Sequence, residues 1–369
     1  MLICELNSGE KIHRREETLI VYFPGPRRVV STAWVNGGCR EDLQAVFNHH
    51  LAPHQHDPAS LPGGSAEGYL EYLAGKLGLP YRHTAGLLTA ARMENAAIKT
   101  NGFRELTVTA IVTGGIDVNG GRAGDRADYY ERDGQWVLVP GTINIILLIN
   151  GNLPPHALVR SIVTATEAKA AALQELMAPS RYSRGIATGS GTDQIITVAN
   201  TQSHHYFTDA GKHAKLGELI GVTVKEAVKV ALEKQTGLNA RRQCSFLARL
   251  ERYGVSAEDF WRQAGEEGLG LDRDSYLARL QHIQGEPGLV ALAASLIHLW
   301  DEYEWGLLPG EAVIAAGLRL LQGYNEGEIC LAAATGEDPV RSLSRLFIRL
   351  INRVIADRVY DGPESGLCR

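Results

Sequence analysis

Strand-like and helix-like patterns alternate over the first two thirds of the chain. Runs rich in Val, Ile and Thr cover residues 84–91, 94–99 and 106–113, and TINIILLIN at 142–150 is apolar at almost every position. β-Branched residues favour half-buried strands, and a short continuous apolar run is typical of a central strand covered on both faces. We therefore predict a central strand at 142–150 with further strands around it.

Amphipathic stretches between these runs predict helices. Pro154-Pro155 opens a stretch over about 156–177 whose apolar side chains form one stripe, with Glu167 and Lys169 expected to face solvent. The sequence TVKE at 223–226 has capping-box spacing, which predicts that a second helix begins there and ends at Gly237.

The alternation extends from about residue 18 to residue 237. It predicts an α/β or α+β layered domain with a mixed sheet and packed helices. Residues 41–51, EDLQAVFNHHL, are interpreted as a short helix or loop because they are rich in polar groups.

The pattern changes after Gly237. Residues 240–356 contain helical spacing and few strand-like runs, and 342–359 is the clearest amphipathic stretch. We therefore predict an N-terminal domain over 1–237 and an all-helical C-terminal region over 238–369, to which the sequence assigns no role.

Composition and charge narrow the functional class. The chain is 44% apolar and 21% charged, with a net charge of −5. Nucleic-acid binders usually carry a concentrated basic excess, so this balance argues against that class. No run approaches the roughly 18 apolar residues of a membrane span, and the first residues lack a signal-peptide core, so we expect a cytoplasmic protein.

The cysteines indicate neither a disulfide framework nor a thiolate metal site. Their number is odd, they are scattered, and none has CxxC spacing. We expect buried free thiols at Cys4, Cys39, Cys244, Cys330 and Cys368.

The stretch GIATGSGTDQIITVAN, residues 185–200, is the most informative local feature. Phosphate-binding loops, dinucleotide-binding turns and serine nucleophile elbows all place a helix after their glycines. The segment that follows here, 194–199, has a strand pattern, so all three interpretations are weak. Two remain equally open, a polar loop that approaches a ligand closely and a plain turn whose Thr and Asp side chains satisfy the local backbone.

Other polar clusters compete for a functional role. Asn48-His49-His50 is dense in metal-ligating and proton-transferring side chains, although no HExxH-type spacing is present. Glu94 lies among small apolar residues, where Arg92 is its obvious structural partner. A second glycine-rich loop covers 114–128, and Lys212-His213 lie in a loop before a helix; ordinary turn and cap chemistry is the structural alternative for both.

Seven motifs together resemble the adenosylcobinamide amidohydrolase family over about residues 18–237. They are VVSTAWVNGG, FNHH, GLLTAARMENAAI, VTGGIDVNGGRAGD, GTINIILLINGNLPPHALVRSIVTATEAKAAALQEL, GIATGSGTDQIITVAN and TDAGKHAKLGELIG.

The resemblance implies a hydrolase of corrinoid salvage. It would cleave the amide between the corrin ring's propionyl arm and its aminopropanol linker in adenosylcobinamide. Whether related complete corrinoids are also substrates is left open. The product, adenosylcobyric acid, re-enters coenzyme B12 synthesis. The expected partner is a corrinoid small molecule, with no nucleic acid and no membrane span, and a homo-oligomer is left open. No cofactor is expected, because the cobalt enters with the substrate.

Amide hydrolysis needs a nucleophile, a stabilised oxyanion and an acid for the leaving amine. Within the family-like motifs, the catalytic candidates are Asp193, Thr192, Thr188, His213, Glu94 and His49. The candidates for substrate binding are Asn36, Asn48, His50, Asn95, Asp117, Asn119, Asn144, Ser190 and Lys212. Either a hydroxyl of the 188–192 loop attacks or an activated water does, and backbone amides of that loop or Lys212 hold the oxyanion.

Two alternatives stay open. A zinc ion held by His49, His50 and His213 with one carboxylate is a mechanistic alternative, disfavoured by the spacing, so no metal ligand is assigned. A corrinoid-binding or regulatory protein without hydrolysis is the alternative in function.

Overall fold

The computed structural model describes residues 1–55, 60–127, 130, 141–324 and 337–357. The chain divides into two compact units, Met1–Asn239 and Ala240–Arg369. Among the described residues, no helix combines the length and the apolar character that crossing a membrane requires.

The first unit contains thirteen described strands and three α-helices. The strands are β1 (Leu2–Glu5), β2 (Lys11–Arg15), β3 (Thr18–Tyr22), β4 (Arg27–Ser31), β5 (Gly38–Arg40), β6 (Ala45–His50), β7 (Thr84–Thr89), β8 (Ala97–Phe103), β9 (Leu106–Gly115), β10 (Gly120–Gly121), β11 (Thr142–Ile149), β12 (Gly189–Ser190) and β13 (Gln194–Asn200). The helices are α1 (Ala66–Lys76), α2 (Pro155–Glu175) and α3 (Lys215–Thr236).

Most strands form two sheets. A five-stranded sheet has the order β1-β2-β3-β6-β7, and a six-stranded sheet has the order β5-β4-β13-β11-β9-β8. β6 pairs with β7 in parallel and β11 pairs with β13 in parallel, whereas the other neighbours in both sheets are antiparallel. The predicted mixed sheet with packed helices is confirmed, although the strands are shared between two sheets.

Strand β11 lies at the centre of the layering. Ile146 and Leu148 face an apolar core shared with the five-stranded sheet, while Ile145 and Leu147 face a second core that includes α2 and α3. Successive strand residues point to opposite faces, so burial on both sides requires the continuous apolar run. The predicted central strand is thus confirmed.

The outer face of the five-stranded sheet is covered by α1. Tyr69, Leu70 and Leu73 of that helix share a core with Ile20 and Phe47 of the sheet. The first unit therefore has four layers, in the order helix, sheet, sheet, helix pair.

Two local predictions are wrong. The segment 41–51 contains strand β6 rather than a helix or loop. Helix α3 begins at Lys215, and Thr223 lies inside it, where its hydroxyl donates to the carbonyl of Leu219 at 2.6 Å. The start of α3 is set by the burial of Leu216 and its neighbours rather than by the TVKE sequence.

The second unit is helical throughout its described part, as predicted. Its helices are α4 (Phe246–Leu250), α5 (Ala257–Glu266), α6 (Arg273–Ile283), α7 (Pro287–Glu304), α8 (Gly310–Tyr324) and α9 (Pro339–Asp357). They enclose a core with Phe246, Trp300 and Phe347. A buried ion pair joins Arg252 and Asp301, with 2.7 Å between Nη2 and Oδ2.

The prediction of buried thiols is wrong for the described cysteines. Cys39 and Cys244 are exposed and Cys4 is half-buried, each as a free thiol. Cys330 and Cys368 lie outside the described residues.

Candidate functional site

The two glycine-rich loops of the sequence lie side by side. Strands β10 and β12 pair antiparallel, with Gly120 opposite Ser190 and Gly121 opposite Gly189. The Thr188 amide donates to the Gly121 carbonyl at 2.9 Å, which extends the ribbon by one residue. Loops separated by about 70 positions in sequence therefore form one surface.

Asp193 connects this ribbon to the six-stranded sheet. Its Oδ1 accepts hydrogen bonds from the Ile143 amide at 2.8 Å and from the Ser190 hydroxyl at 2.7 Å. Its Oδ2 accepts from the Ser190 amide at 2.9 Å and from the Lys169 ammonium. An ionised carboxylate offers about four lone-pair positions, so these four donors occupy them.

Lys169, which pairs with Asp193, is not among the site residues predicted from the sequence. Its side chain and that of Asp193 are each 8% exposed, so the expectation that Lys169 faces solvent is wrong. Glu167, by contrast, is exposed as expected. A signal was present in the sequence: Ala165, Lys169 and Ala172 follow helical spacing, which places Lys169 on the buried face of α2.

Gly189 makes room for this ion pair. A Cβ built on Gly189 would overlap Asp193 Oδ2 and lie 2.6 Å from Lys169 Nζ. A close approach of backbone to a charged pair explains a glycine here better than turn geometry does, because Gly189 has no positive φ.

The ribbon forms one wall of a cavity of about 710 Å³. Helix α2 forms another wall, and the remaining lining residues belong to the 119–127 and 182–192 segments. The lining residues are Asn119, Gly121, Arg122, Ala123, Asp125, Arg126, Ala127, Thr166, Glu167, Lys169, Ala170, Tyr182, Thr188, Gly189, Ser190, Gly191 and Thr192. Cavities of this size bind small molecules.

The three hydroxyls of the 188–192 loop have different partners. Thr192 donates to the Gly141 carbonyl at 2.6 Å, and Thr188 accepts from the Ala123 amide at 3.0 Å. Ser190 alone among them donates to a carboxylate, that of Asp193. A carboxylate is a base, and a hydroxyl that donates to an adjacent base can be activated for nucleophilic attack.

Three further candidates lie at or near the cavity. Asn119 lines it and donates to the Gly141 carbonyl at 2.5 Å. Lys212 forms an exposed ion pair with Glu167, a lining residue, at 2.8 Å. Asp117 is exposed two residues before Asn119. His213 is exposed in the loop before α3 and is not among the described lining residues.

His49 lies elsewhere, between the five-stranded sheet and α1. Its Nδ1 is 2.8 Å from the Thr18 hydroxyl and its Nε2 is 3.1 Å from the Tyr69 hydroxyl. Burial, with a smaller contribution from the neighbouring His50 and Lys76, lowers the pKa of His49 from 6.5 to about 4. The next residue, His50, is half-buried, and its Nδ1 has no hydrogen-bond partner among the described residues.

Asn48 and Asn144 bind each other between the two sheets. Asn144 donates to Asn48 Oδ1 at 2.9 Å, and Asn48 donates to the Thr113 hydroxyl at 2.8 Å. Thr142, which is 3.3 Å from Asn144 Oδ1, donates to the Thr192 carbonyl at 2.8 Å. This series of buried hydrogen bonds connects the residues between the two sheets to the 188–193 loop.

The remaining candidates have local structural partners. Asn36, at φ +54°, donates to the carbonyls of Tyr81 at 2.7 Å and Thr84 at 2.8 Å. Asn95 donates to Gln235 Oε1 at 2.9 Å. Glu94 is exposed and pairs with Arg92 at 3.5 Å and with Arg14 at 3.6 Å.

A metal site is not assembled within the described residues. No group of three or more His, Cys, Asp or Glu side chains there is placed to hold a metal ion. The sequence suggested His49 and His213 as ligands of one metal ion. His49 lies between the five-stranded sheet and α1, and His213 is exposed in the loop before α3.

Comparisons with known proteins agree over the first unit. The family model described as adenosylcobinamide amidohydrolase matches residues 3–240. "Uncharacterized protein MJ1613" of Methanocaldococcus jannaschii is 37% identical over 231 residues, 59% of this chain and 87% of the relative. "Adenosylcobinamide amidohydrolase" of Methanosarcina mazei is 29% identical over 230 residues, 60% of this chain and 96% of the relative.

Solved structures are more distant. The PH0078 protein from Pyrococcus horikoshii has a TM-score of 0.32 at 12% identity, covering 58% of this chain and 76% of that one. A beta-aminopeptidase from a Burkholderia species has a TM-score of 0.29 at 12% identity, covering 67% and 82%. Likenesses this weak inform neither the fold nor the function. The family match spans well over half of the 369 residues, and the chain belongs to the adenosylcobinamide amidohydrolase family.

Proposed function

We propose that this protein hydrolyses the amide that joins the aminopropanol arm to the corrin ring of adenosylcobinamide. The products are adenosylcobyric acid and aminopropanol. The family supports an amidohydrolase that acts on a corrinoid. The observation that carries the proposal is the 2.7 Å hydrogen bond from the Ser190 hydroxyl to Asp193 beside the cavity.

The partners of Asp193 favour a hydroxyl over a water as the nucleophile. All four of its acceptor positions are occupied, by the Ser190 hydroxyl, two backbone amides and Lys169. A water activated by Asp193 would have to displace one of these donors. Ser190 needs no such rearrangement, so it becomes the proposed nucleophile in place of Thr188 or Thr192.

The reaction then has two stages. Ser190 Oγ forms a bond to the amide carbon while its proton passes to Asp193, and the C–N bond breaks as that proton passes to the leaving amine. Water next attacks the resulting ester, which releases the corrinoid carboxylate and restores the Ser190 hydroxyl. Glu94 and His213 are exposed and do not line the described cavity, so the proposal assigns the proton transfer to Asp193.

The cavity suits one arm of a large substrate. At about 710 Å³ it admits the amide arm and its linker, while the corrin ring lies at the mouth. Asn119 lines this cavity and is the candidate to hydrogen-bond a carboxamide of the substrate. The mechanism uses no resident cofactor, because the cobalt is part of the substrate. A cytoplasmic location stays a prediction of the sequence.

Incubation of the purified protein with adenosylcobinamide tests the proposal. Mass spectrometry should detect adenosylcobyric acid and free aminopropanol, formed in equal amounts. Ser190→Ala should bind the corrinoid and release neither product. Tight binding of adenosylcobinamide by the unaltered protein without any product would contradict hydrolysis and favour a binding protein.

A further inference from the structure

The Lys169 ammonium has unused hydrogen-bond donors beside Ser190. An ammonium carries three N–H groups, and among the described residues its single partner is Asp193. The side chain is 8% exposed and lines the cavity. A buried cation with unsatisfied donors costs free energy unless a ligand completes its contacts.

The position of the cation relative to the nucleophile is defined by one carboxylate. Asp193 accepts from Ser190 through Oδ1 and from Lys169 through Oδ2. Both donors also line the same cavity. A substrate amide whose carbon meets Ser190 Oγ can therefore place its carbonyl oxygen on the side of the ammonium.

The other donors around the loop are less suited to hold that oxygen. The amides of Thr188, Ser190 and Thr192 donate to Gly121 O, to Asp193 and to Ser190 Oγ respectively. Lys212 is exposed and paired with Glu167. Backbone amides of the 188–192 loop and Lys212, both named from the sequence, are thus largely engaged elsewhere.

We infer that Lys169 is a catalytic residue whose remaining N–H groups bind the carbonyl oxygen of the scissile amide. The inference rests on the proposed function. As Ser190 Oγ bonds to the carbonyl carbon, the carbonyl π electrons move onto the oxygen, and the ammonium neutralises the charge that develops there. When the C–N bond breaks, that electron pair returns and re-forms the carbonyl.

The test compares the binding of product and substrate. Adenosylcobyric acid carries a carboxylate where adenosylcobinamide carries the neutral amide, and Ser190→Ala prevents hydrolysis of the latter during the titration. In this background, Asp193→Asn is added to both proteins and Lys169→Met to one of them, so that the two proteins differ only in the Lys169 charge and are matched in approximate size. This choice avoids leaving a buried carboxylate unpaired, and a thermal melt verifies folding.

Lys169→Met should weaken adenosylcobyric acid binding about tenfold or more, because a hydrogen bond to a charged group is lost. Adenosylcobinamide binding should change less than about threefold, since its neutral oxygen gains less from the cation. Equal losses for both ligands, or no loss for the product, would overturn the role of Lys169. Absence of hydrolysis by the unaltered protein would instead overturn the proposed function, and the inference with it.

Discussion

Gly189 lies directly against Asp193. The Asp193 carboxylate and the Lys169 ammonium together occupy the space in which any side chain of residue 189 would begin. The same glycine pairs with Gly121 in the ribbon that lines the cavity. A single backbone position thus serves both the ion pair and the wall of the site.

Gly189→Ala should slow hydrolysis by roughly 10²-fold and lower the thermal midpoint. The added methyl group would separate Lys169 from Asp193 and displace the Ser190 hydroxyl, and misplacement by about 1 Å costs roughly 10²-fold in rate. Gly191→Ala is the matched control, since a Cβ there meets nothing within 4 Å. Turnover of adenosylcobinamide by both variants is the measurement; similar rates would contradict the packing argument.

Ser190→Ala should lower kcat by about 10³-fold or more while leaving the fold intact, as expected when a nucleophile is removed. Thr192→Val serves as the comparison, because the Thr192 hydroxyl donates to the Gly141 carbonyl and not to a carboxylate. We expect its loss to be less than about tenfold. A larger loss in Thr192→Val than in Ser190→Ala would transfer the nucleophile assignment to Thr192.

Asn144→Ala should destabilise the first unit by about 2–3 kcal/mol. The substitution removes the donor to the buried side-chain oxygen of Asn48 and to the backbone carbonyl of Leu88. Urea denaturation followed by circular dichroism measures the change. Asn101→Ala provides a control at a half-buried position, where the amide contacts Thr223 and Glu226 at 3.2 and 3.1 Å. Its cost should stay below about 1 kcal/mol, since water can replace these contacts.

The sequence predicts well what depends on local pattern. The continuous apolar run of β11 indicates burial on both faces, and the strand after Asp193 excludes three classes of glycine loop. It predicts poorly what depends on partners distant in the chain. The sequence of strand β6 suggests an exposed polar segment, because the hydrogen-bond partners that allow Asn48 and His49 to be buried belong to other elements. The sequence suggests that Lys169 faces solvent, because its partner Asp193 lies 24 residues further along the chain.

His49 provides a pH-dependent contribution to stability. Its pKa of about 4 in the folded protein is below the ordinary 6.5 because burial disfavours the charged ring. Between these two values the unfolded chain binds a proton that the folded chain does not, so protonation favours unfolding. The nearby charges of His50 and Lys76 act in the same direction, and Glu16 acts against them. Stability should therefore fall as the pH falls from 6.5 towards 4.

Unfolding free energies of the unaltered protein and of His49→Gln, measured at intervals from pH 7 to pH 4, isolate this contribution. Glutamine keeps hydrogen-bonding groups for Thr18 and Tyr69 but does not titrate. The unfolding free energy of the unaltered protein, relative to that of the variant, should fall by about 3 kcal/mol from pH 7 to pH 4, because one pKa unit corresponds to about 1.4 kcal/mol. A difference that stays constant with pH would show that His49 is not buried in its neutral form, and would place it in a more solvated position than the one between the sheet and α1.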